Sequence, residues 1–136
     1  MIAPSVRAFL EAERAGVLST IRPDGRARQS VVYFLLEGDH ILVSTEPKRG
    51  KAKDVERSGW ASLCVMGREP PFPSVTVEGA AALRVNQIAD HTARLFARIS
   101  GDEPPELTDE LLAGMDRVLL DIEIGRAYGA SYLPAE

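Results

Sequence analysis

Short stretches in which apolar and polar residues alternate recur along the chain, and this two-residue period is typical of half-buried β-strands. The turn sequences Pro23-Asp24-Gly25 and Glu37-Gly38-Asp39-His40 separate the first three stretches, which predicts an antiparallel meander. Gly79 interrupts the fifth stretch and indicates a bulge or a sharp bend in a curved sheet. The pattern predicts six strands, at residues 17–21, 26–36, 41–44, 60–66, 74–85 and 117–126.

Apolar residues also recur at helical spacing in segments outside these strands. A first helix is predicted at residues 4–15. Thr45-Glu46-Pro47 precedes a second, at residues 48–58, because it combines a hydroxyl cap, an acidic residue and a first-turn proline. Asn86 is the expected cap of a third helix with an apolar stripe over residues 88–99. Thr108 is the expected cap of a short fourth helix that ends near residue 114.

Six strands with helices between them predict an α+β domain built on a closed or nearly closed antiparallel barrel, occupying residues 1–136. The hydrophobic content of 45% and the charged content of 26% are ordinary for a globular protein. No stretch approaches the roughly 20 apolar residues that a membrane span needs. The amino terminus lacks the pattern of a secretory signal. We therefore expect a cytoplasmic protein without a membrane partner.

The net charge of −4 disfavours nucleic-acid binding, because phosphate backbones attract basic surfaces. One local basic cluster stands out against this background: four of the six residues from Lys48 to Lys53 are lysine or arginine. They follow a predicted strand and begin a predicted helix, where free backbone N–H groups and the helix dipole attract anions. The cluster is interpreted either as a phosphate site or as a solvated basic helix face.

Other common chemistries find little support in the sequence. The single cysteine, Cys64, excludes an internal disulfide and a cysteine metal cage, and its apolar surroundings predict a buried thiol. His40 lies in a predicted turn and is expected to be exposed, whereas His91 lies mid-helix and is expected to be structural, so no metal site is predicted. Walker, dinucleotide-binding and Gly-x-Ser-x-Gly motifs are absent.

The segment GVLSTIRPDGRARQSVVYFLLEGDHILVSTEPKRGKAKDVERSGWASLCV, followed by PSVTVEGAAAL, resembles the pyridoxamine 5′-phosphate oxidase-like family. More closely, it resembles the actinobacterial branch of short proteins that use the deazaflavin coenzyme F420. The shared parts are the hairpin with Pro-Asp-Gly, a lysine-bearing helix before a strand, and Val-Glu-Gly in the fifth strand. The resemblance runs over residues 9–83 and more loosely to residue 124. It implies a six-stranded split β-barrel with flanking helices, assembled as a homodimer.

The resemblance also implies which residues bind the cofactor. Lys51 matches a lysine that contacts the cofactor phosphate; Arg49 lies one step before the usual companion position and is expected to help, and Lys48 is a weaker candidate. Tyr128 and Tyr132 are placed where they could reach across a groove between two subunits. The remaining implied positions are Ser44 and Thr45 beside the phosphate and ribityl chain, Gln29, Ser30, Val31 and Val32 along the ring system, and Trp60 near the ring or in the core.

The function implied by the resemblance is hydride transfer between coenzyme F420 and a conjugated organic acceptor. Flavin mononucleotide (FMN) is the alternative cofactor, although Lys48, Lys51 and Lys53 suit the acidic tail of F420 better. A further alternative is a protein that sequesters this cofactor, or haem, without turnover. No catalytic residue is implied, and Tyr33 and Tyr128 are the candidates for a proton donor. The chain lacks the carboxyl-terminal Arg-x-His-type ending of true pyridoxamine phosphate oxidases, which argues against vitamin B6 oxidation.

Overall fold

The backbone curls into one antiparallel sheet with helices packed against it. The computed structural model describes residues 2–134; positions 1, 135 and 136 of the predicted domain lie outside the described residues. The sheet has seven strands within these residues: β1 (Ala15–Ile21), β2 (Ala27–Tyr33), β3 (Leu35–Glu37), β4 (His40–Thr45), β5 (Trp60–Met66), β6 (Ser74–Arg84) and β7 (Val118–Ser131). The helices are α1 (Pro4–Ala12), α2 (Gly50–Ser58), α3 (Ala89–Ser100) and α4 (Asp109–Gly114).

The strand order β2-β1-β5-β6-β7-β4-β3 makes β2 and β3 the edges of the sheet. The split-barrel prediction is confirmed, but its count of six strands is wrong because residues 26–36 form two strands. β2 pairs with β1, whereas β3 pairs with β4. Between them Phe34 is fully buried, and its backbone N–H donates to the Arg14 carbonyl over 2.9 Å. The chain therefore changes strand partner at Phe34, which simple alternation does not reveal.

The bulge predicted at Gly79 is confirmed. The register of β6 against β7 shifts between Glu78 and Gly79. A Cβ atom at Gly79 would lie 1.9 Å from the backbone oxygen of Glu123, far inside van der Waals contact. Only glycine permits this approach of the two strands, which bends the sheet into its curled form.

Two predicted helix caps are wrong, although both helices begin within two residues of their predicted starts. Thr45 still belongs to β4, and α2 begins at Gly50 with no side-chain cap. Asn86 does not cap α3. Instead, the Asp109 carboxylate accepts hydrogen bonds from the backbone N–H groups of three consecutive residues, Gln87 (2.6 Å), Ile88 (3.1 Å) and Ala89 (3.1 Å). The cap of α4 is as predicted, because Thr108 Oγ1 accepts from the Leu111 N–H over 3.0 Å.

The sheet buries apolar side chains on both faces at its β4–β7 end. One face of β7 contributes Val118, Leu120, Ile122 and Ile124 to the barrel interior, as predicted from their alternation. On the opposite face, a second cluster of Leu35, Leu42, Ile88, Leu95, Leu112 and Leu119 joins the sheet to α3 and α4. Each fully buried side chain of this size stabilises the fold by about 1.5–3 kcal/mol. This second cluster holds α3 against the sheet, where it forms one side of the candidate site.

Several expected exposures are corrected by the structure. Cys64 is exposed, because Leu63 and Val65 point into the barrel and Cys64 therefore points outward. His40 is half-exposed rather than free in a turn, since it begins β4 with its Nδ1 atom 2.7 Å from Asp121. His91, expected from the sequence to be structural, is partly buried in α3, and its Nε2 atom lies 3.8 Å from the Glu37 carboxylate. No helix in residues 2–134 is long and apolar enough to cross a membrane.

Candidate functional site

A groove of about 220 Å³ opens between β2, the end of β4, the first turn of α2 and the side of α3. It brings together four of the site residues predicted from the resemblance, Val31, Val32, Ser44 and Lys51. These residues are up to 20 positions apart in the chain and meet because the curled sheet places β2 near β4. The groove is therefore the place where the predicted phosphate-binding and ring-binding positions come together.

One end of the groove is cationic and uncompensated. Lys51 and Arg117 line it, both are partly buried, and neither has an ion-pair partner among residues 2–134. Burial lowers the pKa of Lys51, and repulsion from Arg49 and Arg117 lowers it further. The nearby carboxylate of Glu46 is occupied by Lys48 (3.3 Å) and Arg49 (3.1 Å). Two desolvated cations without a counter-ion make this end of the groove a site for an anion.

Ser44 supplies a second unsatisfied group. Its Oγ atom is buried and has no hydrogen-bond partner in the described part of the chain. An unpaired buried hydroxyl costs about 1–3 kcal/mol, a cost that a ligand oxygen in the groove would remove. Thr45, the next residue in β4, is 3% exposed and projects to the opposite face of the strand. Of the two predicted hydroxyls, the structure therefore brings only Ser44 to the groove.

The other end of the groove is apolar. Leu95, Phe96 and Ile99 of α3 form one wall, and Val31 and Tyr33 of β2 form the opposite rim. Sequence reasoning missed α3 because its apolar stripe was assigned wholly to the core, yet Ile99 is 36% exposed. It also missed Arg117, which precedes an apolar strand and carries no motif of its own. An apolar wall beside a cationic end suits a ligand with a planar apolar body and a phosphate.

The other predicted site residues lie outside the groove lining. Gln29 points outward and its Nε2 atom donates to Ser19 Oγ over 3.3 Å. Ser30 is partly exposed on the opposite face of β2. Lys48 and Arg49 are exposed beside Glu46, at the mouth rather than the wall. Trp60 begins β5, is partly buried, and pairs with Ala80 of β6; strands β6 and β7 separate it from β4.

The groove opens onto an exposed sheet surface, here called the outer face, formed by Val31, Tyr33, Cys64, Met66 and Tyr128. Val31, on the edge strand β2, is 76% exposed, and Met66, the last residue of β5, is 63% exposed, so large apolar side chains share one exposed surface. The Arg126 guanidinium lies 4.8 Å from the Tyr128 ring centre. A hydrogen bond with Glu78 raises the pKa of the Tyr128 phenol. Tyr128 thus shares this face with Val31 and Tyr33 but does not line the groove, and Tyr132 lies beyond the end of β7, beside the proline-rich loop at residues 67–73.

Two hollows of roughly twice the volume lie away from this groove. One, of about 480 Å³, is bounded by the proline-rich loop at residues 67–73, and its Arg68 is paired with Glu13 at 3.1 Å. The other, of about 510 Å³, is an open apolar hollow between α1 and Leu133. Neither combines unpaired cations with an apolar wall, so the groove at Lys51 is the stronger candidate.

Comparison with known proteins gives the same family as the sequence resemblance. The profile of the pyridoxamine 5′-phosphate oxidase family matches residues 2–128. No curated protein sequence matches the chain. A conserved hypothetical protein of Mycobacterium tuberculosis superposes with a TM-score of 0.77 at 24% identity, over 93% of this chain and 82% of that one.

Two further solved structures share the fold. An F420 reductase superposes with a TM-score of 0.73 at 22% identity, covering 90% of this chain and 94% of its own. The haem storage protein of Vibrio cholerae superposes with a TM-score of 0.68 at 15% identity, covering 93% of each chain. At these identities the structures establish a common fold, while the ligands they are named for differ.

Proposed function

This chain belongs to the pyridoxamine 5′-phosphate oxidase family, and we propose that it is an oxidoreductase that binds coenzyme F420 in the groove at Lys51. The observation that carries the proposal is the pair of partly buried, unpaired cations, Lys51 and Arg117, beside the orphan hydroxyl of Ser44 and an apolar wall. A phosphate-bearing tricyclic cofactor satisfies all three features at once. The resemblance of the fold to an F420 reductase supports the same cofactor.

The cationic end would hold the phosphate. The Lys51 ammonium and the Arg117 guanidinium offer charged donors, and the Ser44 hydroxyl offers a neutral one. Arg117 can present two parallel N–H groups to phosphate oxygens, whereas Lys51 acts as a point charge. Ligand binding would also relieve the repulsion between these cations. The residues present therefore fit a phosphate without any further change in the chain.

The apolar end would hold the ring system. β2 is an edge strand, so the backbone groups on its free side have no neighbouring strand and can donate to or accept from ring heteroatoms. Phe96 and Ile99 on α3 would cover part of the apolar surface and exclude water from it. The role of these residues is to orient the ring and to keep solvent from one of its faces.

When bound, the reduced deazaflavin supplies a hydride to a conjugated organic acceptor. The chain's own contribution is orientation, electrostatic stabilisation and, in our proposal, a proton from Tyr33. Tyr33 is favoured over Tyr128 because its side chain lies at the rim of the groove and is 51% exposed. We propose that Tyr33→Phe lowers the turnover rate while leaving cofactor affinity unchanged.

The choice of F420 over FMN is supported by charge beyond the groove. Lys48 and Arg49 are 69% and 61% exposed at the start of α2, and Lys53 is exposed one turn further on. F420 carries an acidic tail after its phosphate, which such side chains can attract, whereas FMN ends at the phosphate. These charges therefore matter for F420 and have nothing to bind in FMN.

Parallel fluorescence titrations of the purified protein with F420 and with FMN test the proposal. We expect micromolar or tighter binding of F420 and weaker binding of FMN, followed by hydride transfer to an acceptor from a screen of conjugated compounds. Tighter binding of FMN than of F420 would support the alternative in which FMN is the cofactor. Binding without turnover on any acceptor would favour sequestration, and binding of neither cofactor would contradict the proposed function.

A further inference from the structure

A buried carboxylate, Asp54, lies in the middle of α2. Asp54 is 1% exposed, and its two oxygens accept hydrogen bonds from Thr20 Oγ1 (2.8 Å), Arg28 Nε (2.7 Å) and Arg57 Nη2 (3.2 Å). Burial by itself would raise the pKa of Asp54, but the bonds from Arg28, Thr20 and Arg57 outweigh it and hold the pKa below its usual value. Asp54 is therefore a fixed negative charge that orients two guanidinium groups.

One of those groups, Arg28, is held across the first residue of α2. A Cβ atom added to Gly50 would lie 2.6 Å from Arg28 Cζ and 2.7 Å from its Nη1 atom. Only the Nε atom of Arg28 bonds to Asp54, and neither Nη atom has a hydrogen-bond partner within residues 2–134. The guanidinium thus lies against Gly50 with its outer N–H groups free, one residue before Lys51.

The amino-terminal end of α2 is an unfavourable position for the Arg28 cation in the unliganded protein. The amino-terminal end of a helix carries partial positive charge, and a cation placed there is repelled. The first turn of α2 contains no acidic residue, no side chain caps it, and its N-cap residue is Arg49. Of the cations gathered here, Arg49 is paired with Glu46, whereas Lys51 and the outer half of Arg28 are unpaired. A bound anion would be attracted by each of these positive groups, and these attractions would offset the repulsion among them.

We propose that Arg28, positioned by Asp54 and by the missing side chain of Gly50, binds the anionic group of the ligand together with Lys51. Asp54 is then a positioning residue, and Gly50 is required because any side chain would displace the guanidinium. The ligand's identity as a phosphate-bearing flavin or deazaflavin rests on the proposed function. The arrangement itself rests only on the contacts among Arg28, Gly50 and Asp54.

The test compares ligands that differ in the phosphate. Riboflavin and FMN share a ring system and a ribityl chain, and the F420 chromophore without its phosphate-bearing tail provides the matching pair for the deazaflavin. The discrimination ratio is the Kd of the phosphate-free compound divided by that of the phosphorylated one, measured by fluorescence titration of the full chain. A hydrogen bond to a charged group predicts that Arg28→Gln lowers this ratio about 10- to 100-fold. Arg28→Lys should recover part of the loss.

Gly50→Ala gives an independent test because it alters no charge. The added methyl group displaces a flexible side-chain end, and alanine is the better helix former, so the fold should tolerate it. We expect it to lower the discrimination ratio as Arg28→Gln does, and to have no further effect in the Arg28→Gln background. Asp54→Asn should also lower the discrimination ratio. If Asp54 had only a structural role, the variant would weaken the binding of both members of each ligand pair equally, and the ratio would not change.

Arg57→Gln is the matched control. Arg57 bonds to the same carboxylate but lies in the last turn of α2, away from Gly50. Its removal should leave the discrimination ratio unchanged. Wild-type discrimination that persists in both Arg28→Gln and Gly50→Ala would overturn this inference while leaving the proposed function intact. A wild-type protein that binds neither ligand pair would overturn both.

Discussion

At the scale of single residues, charge pairing separates binding groups from surface groups. Lys51 and Arg117 are partly buried and unpaired, whereas Arg49 and Lys48 are exposed and share Glu46. Exposed ion pairs of this kind contribute little to stability. The Glu46 carboxylate also neutralises the positive charge of Lys48 and Arg49, which is then less available to an anionic ligand. The basic cluster recognised in the sequence therefore divides into one groove residue and several mouth residues.

We expect Lys51→Ala and Arg117→Ala each to weaken cofactor binding by about 1.5–3 kcal/mol, the scale of a hydrogen bond to a charged group. Arg49→Ala should weaken FMN binding far less, because Arg49 is 61% exposed and paired with Glu46. Fluorescence titration of the three variants measures the difference. Equal losses in all three would show that the phosphate lies at the mouth rather than in the groove.

The lowered pKa of Lys51 predicts the direction of a pH dependence. Burial and the neighbouring Arg49 and Arg117 favour its neutral form, so the ammonium loses its proton at a lower pH than an ordinary lysine. Because only the charged form attracts a phosphate, affinity should be full below the pKa of Lys51 and fall as the pH rises through it. Titration of Lys51→Arg over the same alkaline range is the control, and its affinity should stay constant there.

At the scale of elements, the site depends on a helix that is capped from a distance. α3 supplies the apolar wall, and its first N–H groups are satisfied by Asp109, which belongs to α4. The same second cluster of leucines packs both helices on β4 and β7. The strand β7 is in turn bent against β6 at the bulge at Gly79, where a Cβ atom would lie 1.9 Å from the backbone oxygen of Glu123.

Asp109→Asn should lower the melting temperature at neutral pH. Hydrogen bonds from the backbone N–H groups of Gln87, Ile88 and Ala89 lower the pKa of Asp109. Partial burial acts in the opposite direction but is outweighed, so the pKa lies below its usual value. A carboxylate with a lowered folded-state pKa stabilises the protein above its unfolded-state pKa, and this contribution disappears as the pH falls through the folded value. The wild-type and variant melting curves should therefore converge in acid; a constant difference would contradict the capping role.

Gly79→Ala should lower the free energy of unfolding by at least about 2 kcal/mol, because its Cβ would overlap a backbone oxygen that cannot move aside. Gly125→Ala, across the same bulge, is the control, since its Cβ would lie 3.9 Å from Glu78 O, an ordinary contact. Denaturant unfolding of both variants measures the contrast. A Gly79→Ala protein as stable as Gly125→Ala would exclude a tight bulge.

At the scale of the whole molecule, the outer face has no helix over it among the described residues. Val31 and Tyr33 belong both to this face and to the rim of the groove. A second copy seated on the outer face would cover the exposed apolar side chains and deepen a groove that is open on one side. We therefore propose a homodimer in which Tyr128 and Tyr132 extend toward the partner's groove.

Met66→Glu tests the dimer, because Met66 is 63% exposed on the outer face and does not line the groove. A buried, unpaired charge at this position should convert the dimer to a monomer and weaken cofactor binding with it. Leu111→Glu, 48% exposed on α4, is the matched control and should remain dimeric. Size-exclusion chromatography with light scattering gives the masses; a monomeric wild type would contradict the proposal.

Local chemistry in the sequence determined the strands, their turns, the bulge at Gly79 and the position of Lys51 in a basic cluster, because alternation, turn propensity and charge clustering act within a few residues. The partner change at Phe34, the long-range cap on α3 and the outward turn of Cys64 depend on what each segment packs against. The groove was decided by the tertiary structure alone. Ser44 and Lys51 lie close together in the chain, but Leu95 and Arg117 are far from them, and only the curling of the sheet brings two unpaired cations, an orphan hydroxyl and an apolar helix face around one space.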